Sequence, residues 1–597
     1  MIKNKKIFWI AFFILTALAF FMKFYGPQAV ESLYAQGAIG FLNKMAGVDT
    51  ARSLEFYLGK TQETFWGPGS VLLSGLAFLA FALMYLRRIG HWKFGAAVFL
   101  YLLATKWEIL LYPPYGDSAS GPFVEAIWLV HHHFDYIGLA REPGFISGGP
   151  KVYLFSIYPT YVAGLMTLIP NVKVFLMINH LLVFAFGAAI VSLLRRISLK
   201  FFDATTALLI SLLLLSLPLF HSQVEALNME IPALLPIMGS LYYLVNRRMG
   251  PACVMSMLAA LVKVYAVIAG ATVFVAGMGL YFFDKEHRFK ARTLGWSLLA
   301  IFFAAAVAYA ERFFFHDQWQ VSKVGLWEGW KYIKSLKTTH LYFLSVMMFA
   351  GLFLKEKRTN VQEPLIFFLR RHYAALVFFL YSGAWFFVFL NSGSMIPRYL
   401  LLIAPSMVFL LFYVLRAVMG SEKILCFLVT GLIAFSLFCS YGFPYPPLEK
   451  VIHSWLERSL EYRNDIQLQM KLARVIEDKY SDYTIGAPFT IAQTLGLPEL
   501  GFVTKKLSVM IFDHPCVYGG IQHFRGLQYL DMNRTLWVGF ETNVPPPLDQ
   551  WIEYPVGPQD HVVDTVSVGY RTVKLFLGGF SIEKMRLILI QLIKERG

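Results

Sequence analysis

Mostly apolar stretches of about 16–22 residues recur along this chain from its N-terminal end to about residue 441. A bilayer offers no hydrogen-bond partners to backbone N–H and C=O groups, so segments of this length must cross it as helices. The composition agrees, because 57% of the residues are hydrophobic and only 15% are charged, whereas soluble domains average about 25% charged residues. The sequence therefore predicts a polytopic α-helical membrane protein.

The apolar stretches predict about thirteen membrane spans. The segment 251–283 has basic residues on both flanks, so we expect it to cross twice, as a tight hairpin that turns near Lys263 to Gly270. If 251–283 instead crossed the membrane once, as one long span, every later segment would lie on the opposite side of the membrane. The predicted spans are 7–23, 68–86, 94–112, 172–194, 203–219, 231–246, 252–268, 270–283, 294–312, 340–354, 373–390, 398–416 and 423–441.

The net charge of +16 comes from short basic clusters at the ends of the apolar stretches. This distribution follows the positive-inside rule and places the N-terminus in the cytoplasm, as an uncleaved signal anchor. No basic run with interleaved aromatic residues is present, so nucleic acid is not an expected partner. The clusters are Lys3–Lys6, Arg87–Arg88, Arg195–Arg196, Arg247–Arg248, Lys285–Arg292, Lys355–Arg358 and Arg370–Arg371.

The tail differs from the rest of the chain, because it is charged, punctuated by prolines and free of membrane-length apolar stretches. Helical periodicity over 451–479 and short β-like segments predict a small external α/β domain. The β-like segments are 484–485, 502–503, 507–512 and 572–577, and a final amphipathic helix is predicted over 582–594. We divide the chain into an N-terminal span pair with an external loop, a transmembrane core and the external domain, at residues 1–92, 93–441 and 442–597.

A polar loop of about forty residues follows the third span, from about 113 to 152, and begins with Tyr115-Gly116-Asp117-Ser118. Pro122 suits the first turn of a helix that Ser118 or Ser120 can cap. From there Phe123, Ile127, Val130, Phe134 and Ile137 form one apolar stripe at helical spacing, and Glu125, Trp128, His132 and Asp135 lie on the opposite face. This pattern predicts an amphipathic helix that lies at the membrane interface with its polar face toward water. A second apolar helix is predicted over 153–170.

Metal and nucleotide sites are not indicated. His131, His132 and His133 point about 100° apart on a helix, so all three cannot bind one ion. The four cysteines form no CxxC pair, and the sequence contains no Asp-x-Asp motif, Gly-rich phosphate loop or dinucleotide fingerprint. We therefore expect no required cofactor. A divalent cation held by His132 with Glu125 or Asp135 stays open as an alternative, although the sequence gives it no support.

The motifs of the core occur in a familiar order. An acidic residue follows a span, then come an external amphipathic helix, an aromatic-Pro helix and a span that ends in Arg-Arg. Later, Glu230-Ile231-Pro232 opens a span, Leu261-Val262-Lys263 ends the next one, and Pro397-Arg398-Tyr399-Leu400 precedes Pro405. Over roughly residues 94–441 this resembles the GT-C glycosyltransferase superfamily, which includes protein O-mannosyltransferases and bacterial aminoarabinose transferases. The chain departs from the superfamily in placing Asp117 after the third span rather than the first, and in having Asp-Ser where Asp-Glu is common.

The resemblance implies that a sugar is transferred from a polyprenyl-phosphate-linked donor to a lipid, glycan or protein acceptor. The site and the C-terminal domain would then face the periplasm of a bacterial inner membrane. Asp117 is the candidate general base, because the acceptor hydroxyl must lose a proton as it attacks. Arg398 suits the leaving lipid phosphate, and Lys263 is a second candidate cation. Glu230 can hold sugar hydroxyls or a basic group of the acceptor. Glu125, His132 and Tyr399 complete the candidate substrate-binding residues.

Structural roles compete with these assignments. Asp117 can cap the helix that follows it, Arg398 can anchor its span at the interface, and Lys106 and Glu108 can snorkel at the end of the third span. At the level of the whole protein, the alternative from another class is a transporter or lipid flippase. Such proteins carry ionisable residues near the bilayer midplane and often contain repeats, whereas the ionisable residues here lie toward the external ends. A non-catalytic scaffold is the third possibility.

Overall fold

A computed structural model describes most of the chain. The described residues are 5–46, 51–116, 118–141, 157–283, 290–314, 351, 372–391, 397–419, 421–441, 459–460, 462–487, 489–511, 534–541, 561–568 and 571–577. Asp117, the predicted span 340–354 apart from residue 351, and the predicted helix 582–594 lie outside these residues. They remain sequence-based predictions.

Helices dominate the described residues up to Tyr441. In chain order they are α1 (Lys5–Ala35), α2 (Ile39–Ala46), α3 (Leu54–Thr61), α4 (Gly67–Phe81), α5 (His91–Lys106), α6 (Val124–His131), α7 (Tyr136–Arg141), α8 (Ile157–Leu168), α9 (Val172–Ser198), α10 (Ala204–Ser216), α11 (Pro218–Glu225), α12 (Glu230–Val245), α13 (Met249–Val262), α14 (Val267–Phe283), α15 (Ala291–Phe314), α16 (Tyr373–Asn391), α17 (Ala404–Met419) and α18 (Glu422–Phe438). The C-terminal region adds α19 (Tyr462–Lys479) and α20 (Phe489–Gly496).

Short turns of other helix types extend several of these helices. Gln62–Trp66 and Ala82–Leu86 are π-helical and flank α4, whereas Ala119–Phe123 is π-helical and precedes α6. The 3₁₀ turns are Trp107–Leu111, Val264–Ala266, Pro397–Ile403, Cys439–Tyr441 and Pro498–Leu500. Such turns tighten or widen a helix locally and are common at helix ends.

In the described part of the chain, eight helices are long and apolar enough to cross a membrane, and the pair α10–α11, bent by 61°, makes up to nine. The helices α12, α13 and the first 16 residues of α16 are apolar but shorter. The predicted membrane-protein fold is therefore confirmed. The number of spans remains a prediction, because one predicted span falls outside the described residues.

Residues 251–283 form a hairpin of two helices, as predicted, and the double crossing of the membrane remains a prediction. Helix α13 ends at Val262, and Lys263 adopts an extended backbone with φ −150° and ψ 122°. A Cβ atom added at Gly277 would lie 2.5 Å from Cε of Met249, so the start of α13 packs against the second half of α14. The two helices therefore run antiparallel, with Lys263 at the turn.

The predicted interfacial helix after Pro122 needs correction. Its helix is interrupted after α6, where His133 and Phe134 have positive φ values of 52° and 62°. Glu125 and Trp128, predicted to face water, are only 2% and 3% exposed, whereas Ile137 of the predicted apolar stripe is 61% exposed. Helical periodicity identifies the apolar face of a segment but cannot reveal that its polar face is covered too. Here α8 packs against α6, and α20 packs over the preceding π-helical turn.

The C-terminal region contains a five-stranded sheet in the order β2-β1-β3-β5-β4. Strand β1 pairs in parallel with β2 and β3, whereas β5 pairs antiparallel with β3 and β4. Helix α19 packs on β4 and β5, so the predicted α/β domain is confirmed. Residues 502–503 form no strand, contrary to the prediction, and β3 and β4 were not predicted. The strands are β1 (Thr484–Ala487), β2 (Val509–Ile511), β3 (Thr535–Glu541), β4 (His561–Val568) and β5 (Arg571–Leu577).

Candidate active site

Helix geometry brings three of the predicted site residues to one place. Glu230 is the first residue of α12, and Lys263 directly follows the last residue of α13. These helices pack against each other and have similar lengths, 16 and 14 residues. The start of one therefore lies beside the end of the other. Arg398 lies in the 3₁₀ turn before α17, and this turn packs on α12.

The three charged side chains form a buried cluster. Oε1 of Glu230 accepts a hydrogen bond from Nζ of Lys263 at 2.5 Å and lies 3.3 Å from Nε of Arg398. The side chains of Glu230, Lys263 and Arg398 are only 2%, 8% and 5% exposed. The ring of Tyr399 lies beside both cations, because its centroid is 4.1 Å from Nζ of Lys263 and 5.6 Å from Cζ of Arg398. We call these four residues the Glu230 cluster.

Burial makes this arrangement chemically meaningful. An ion removed from water is costly unless an opposite charge or a hydrogen bond stabilises it, so buried charges occur in pairs or in networks. One carboxylate here orients two cations on different helical elements, and an aromatic face adds a cation–π contribution to each. Cations held rigidly in a site of low dielectric are well placed to stabilise an anion that enters or develops beside them.

The other predicted binding residues lie on α6 and just after it. His132 is exposed, stacks on the ring of Trp128 at a centroid distance of 4.0 Å, and donates from Nδ1 to the Trp128 carbonyl oxygen at 3.0 Å. Glu125 is buried within the fold. His132 thus contacts its own helix, and Asp117 lies outside the described residues.

The residue after Asp117 is attached to the segment that leads into Glu230. The hydroxyl oxygen of Ser118 lies 3.0 Å from the carbonyl oxygen of Ala226 and 2.5 Å from that of Tyr115, so its one proton is shared between these two acceptors. Ser118 was predicted as one of two candidate helix caps, but its side chain makes no capping hydrogen bond. The hydroxyl of Tyr158 donates to the carbonyl oxygen of Leu227 at 2.8 Å.

A second buried ion cluster lies at the other end of that segment. The Arg463 guanidinium donates to both carboxylate oxygens of Glu225 at 2.8 Å, and Lys106 also pairs with this carboxylate. Nη1 of Arg463 donates to Oε1 of Glu108 at 3.0 Å. The Glu225 and Lys106 side chains are 0% and 2% exposed, so of the two alternatives left open for Lys106, snorkelling to the surface is not what the structure shows. We call these four residues the Glu225 cluster.

Arg463 belongs to α19 of the C-terminal domain and remains charged in this position. Burial by itself lowers the pKa of its guanidinium, but the Glu225 carboxylate beside it, with smaller contributions from Tyr441 and Glu108, holds that pKa well above its ordinary value. Neither Glu225 nor Arg463 was predicted as a site residue. No local sequence signal pairs them, because they lie 238 positions apart.

Other polar side chains have structural partners. His180 is fully buried and donates from Nε2 to the Tyr112 carbonyl oxygen at 3.0 Å, and the side-chain oxygen of Asn179 accepts from the Tyr161 hydroxyl at 3.4 Å. Within the described ranges, no group of three or more His, Cys, Asp or Glu side chains has the geometry to hold a metal ion. The structure therefore adds no candidate metal ligands to those considered in the sequence.

No model of a known protein family and no curated protein sequence matches this chain. Among solved structures, the chain is similar to ArnT from Cupriavidus metallidurans, both in its complex with undecaprenyl phosphate and in its apo state. The identity is 12% in both cases, with TM-scores of 0.46 and 0.45. Each alignment covers 80% of this chain and 97% of the ArnT chain. This likeness concerns the overall fold and does not identify a substrate or a reaction.

Proposed function

We propose that this protein is a membrane glycosyltransferase that transfers a sugar from a polyprenyl-phosphate donor to a lipid, glycan or protein acceptor at the external end of its helices. The observation that carries the proposal is the Glu230 cluster. Lys263 and the adjacent pair Arg398 and Tyr399 come from distant parts of the sequence. Nevertheless, Lys263 and Arg398 both contact one buried carboxylate, and the Tyr399 ring lies beside both cations. The same residues carry the sequence resemblance to the GT-C superfamily.

The leaving group explains the two cations. When the bond between the anomeric carbon and the phosphate oxygen breaks, its electron pair remains on the lipid phosphate and increases the negative charge there. Arg398 can donate two parallel hydrogen bonds to phosphate oxygens, and Lys263 adds a compact positive charge. Because Glu230 already orients both side chains, little reorganisation is needed as the charge develops.

The attacking group explains the predicted base. The acceptor hydroxyl forms the new bond to the anomeric carbon and loses its proton, which a positioned carboxylate can take. Asp117 is our candidate, and its neighbour Ser118 is hydrogen-bonded to the segment that ends at Glu230. Glu230 is the candidate for contacts with sugar or acceptor groups, and Glu125 and His132 remain further candidates from the sequence. The sequence lacks nucleotide-binding motifs, which favours a lipid-linked donor.

The sidedness of the reaction is part of the proposal. Basic clusters at alternate ends of the apolar stretches favour a cytoplasmic N-terminus, with the site and the C-terminal domain outside. In a bacterial inner membrane that side is the periplasm. Labelling of single cysteines introduced at positions 320 and 500 tests this topology, and a cytoplasmic location for either position contradicts it.

The reaction is tested with purified protein in lipid nanodiscs, supplied with polyprenyl-phosphate-linked sugars and candidate acceptors. We expect release of polyprenyl phosphate together with a glycosylated acceptor. Asp117→Asn is expected to lower the rate at least about 100-fold, because a general base contributes about that much, while expression and thermal unfolding stay unchanged. The matched control is Asp135→Asn, an exposed carboxylate of the same loop.

Several outcomes would overturn these assignments. Full activity of the Asp117→Asn variant would remove Asp117 as the base. Failure to release lipid phosphate from any polyprenyl-phosphate sugar would reject the proposed function. Movement of the lipid across the bilayer without sugar transfer would instead favour the flippase alternative.

A further inference from the structure

The short segment Ala226–Met229 connects the two buried ion clusters. Glu225, the last residue of α11, belongs to one cluster, and Glu230, the first residue of α12, belongs to the other. A backbone of five peptide units separates them, so a displacement of Glu225 is transmitted to Glu230 over a very short distance. The backbone of this segment therefore links the positions of the two carboxylates.

The connecting segment is held from several directions. Ser118 and Tyr158 bind the carbonyl oxygens of Ala226 and Leu227, and the side-chain amide of Asn228 donates to that of Gln223 at 3.2 Å. Leu227 has a φ of 55°. Left-handed backbone is unfavourable for a leucine, and such a conformation persists only where surrounding contacts fix it.

Arg463 supplies the strongest restraint on the Glu225 end of the segment. Its guanidinium contacts both oxygens of Glu225 at 2.8 Å, which fixes the plane of the carboxylate as well as its position. A lysine ammonium at one oxygen cannot do this. The residue that orients Glu225 thus comes from the C-terminal domain rather than from the membrane helices.

We propose that Arg463 is a positioning residue for the transfer reaction, through which the C-terminal domain sets the geometry of the site. By orienting Glu225 it holds Ala226–Met229 in place, and this segment in turn positions Glu230 and the Ser118 neighbour of Asp117. The inference rests on the proposed function. It assigns to the C-terminal domain a part in catalysis that does not require contact with the substrate.

Separate contacts hold the C-terminal domain on the membrane helices, so this role can be isolated. The side-chain amide of Asn464 donates to Oε1 of Glu63 at 2.5 Å, and Nη2 of Arg571 lies 3.6 Å from the same oxygen. Arg571 also pairs with Asp465 at 2.9 Å. None of these contacts involves the connecting segment, so an Asn464 variant weakens docking without removing the restraint on Glu225.

The test compares Arg463→Gln with two controls in the full-length protein. Asn464→Ala perturbs docking beside Arg463, and Arg474→Gln removes an exposed charge from the same helix. For Arg463→Gln we expect kcat to fall about tenfold or more, because small displacements of catalytic groups have large effects on rate. The KM for the lipid donor should stay within about twofold, and both controls should keep kcat within about twofold. Active sites are counted by titration with undecaprenyl phosphate, so that kcat refers to binding-competent molecules.

Hydrogen exchange of the same variants gives a readout that does not depend on turnover. Arg463→Gln should increase exchange in Ala226–Met229, and the two controls should not. Arg463→Lys keeps the positive charge but cannot donate two parallel hydrogen bonds to the carboxylate, so its kcat and its exchange rates should lie between those of wild type and Arg463→Gln. The same variant serves as the test if Arg463→Gln does not insert into the membrane. Unchanged exchange of the segment, or an equal loss of kcat in Asn464→Ala, would overturn the inference. Absence of transfer by the wild type would reject the proposed function, while the exchange result would still decide whether Arg463 positions the segment.

Discussion

The Glu230 cluster and the Glu225 cluster share one design but differ in origin. In each, a single buried glutamate at a helix end lies between a lysine and an arginine. All members of the Glu230 cluster lie in the membrane core, at a helix end, in a 3₁₀ turn or in the turn between two helices. In the Glu225 cluster the arginine comes from α19, and Glu108, with 34% of its side chain exposed, reaches toward the surface.

The hydrogen bonds show what the difference means. The Arg463 guanidinium donates a hydrogen bond to each carboxylate oxygen of Glu225, and Lys106 forms a further ion pair with it. In the Glu230 cluster, Lys263 and Arg398 share the single oxygen Oε1, and the arginine is the more distant of the two at 3.3 Å. We interpret the first arrangement as a junction between domains and the second as a site whose cations can also engage an anionic substrate.

The largest expected effect separates the two clusters by activity. Arg398→Gln should lower sugar transfer at least about 100-fold, because it removes a fixed charge from the developing phosphate anion. Arg398→Lys should be intermediate, since it keeps the charge but not the fork. Initial rates of lipid phosphate release measure both. The control is Arg416→Gln on α17, the helix that follows the turn of Arg398; the Arg416 side chain is 46% exposed. Near wild-type activity of Arg398→Gln would mean that the Glu230 cluster is not the phosphate site.

A second expected effect concerns stability at the Glu225 cluster. Glu225→Leu leaves Lys106 and Arg463 without their shared carboxylate, and breaking a buried pair in this way costs about 3–5 kcal/mol. Lys106→Met should cost less, because Arg463 still pairs with both oxygens of Glu225. Unfolding of detergent-solubilised protein measures the order of the two variants. The reverse order would mean that Lys106, not Arg463, is the principal partner of Glu225.

The smallest expected effect is a pH dependence at a more exposed carboxylate of the C-terminal domain. Burial acts to raise the pKa of Glu477, but hydrogen bonds from the Thr504 hydroxyl and from the backbone N–H groups of Thr504 and Lys505 lower it below its ordinary value of 4.5. The contribution to stability is therefore present above pH 4.5 and is lost as the pH falls through the lowered pKa.

We expect the Glu477→Gln variant to be less stable than the wild-type protein at pH 6. The difference in the free energy of unfolding should be less than about 1 kcal/mol, because solvent screens the contact of Glu477 with Thr504 and Lys505. The difference should shrink toward pH 3. Urea titrations of the full-length chain at both pH values measure it. A difference that stays constant over this range would show that the charge of Glu477 is not what stabilises the contact.

The Glu230 cluster could be predicted from the sequence, because helix geometry relates the spacing of residues along the chain to their distance in the fold. A hairpin of two apolar helices of similar length places the start of the first, Glu230, beside the residue after the second, Lys263. To predict that Arg398 belongs to the same site, the order of the motifs along the chain was needed as well, because no periodicity relates Arg398 to the hairpin of α12 and α13. The α/β character of the tail followed from its composition and from short β-like segments such as the one that became β5.

The Glu225 cluster could not be predicted from the sequence, for a physical reason. Arg463 is one of many charged residues on an amphipathic helix, and an isolated helix pattern gives no sign that one charge is buried against another domain. The same limit explains Glu125 and Trp128, whose side of α6 is polar in sequence but covered in the fold. Contacts between distant segments decide burial, and they leave no trace in local spacing.

The shortness of α12 and α13 has a consequence for the surrounding lipid. At a rise of about 1.5 Å per residue, their 16 and 14 residues extend about 24 and 21 Å, less than the hydrocarbon thickness of about 30 Å. A bilayer adapts to short helices by thinning locally. We therefore expect the bilayer to be locally thinned beside α13, whose Val254 and Leu258 side chains are exposed, which would bring lipid headgroups closer to the depth of Lys263 at the end of this helix.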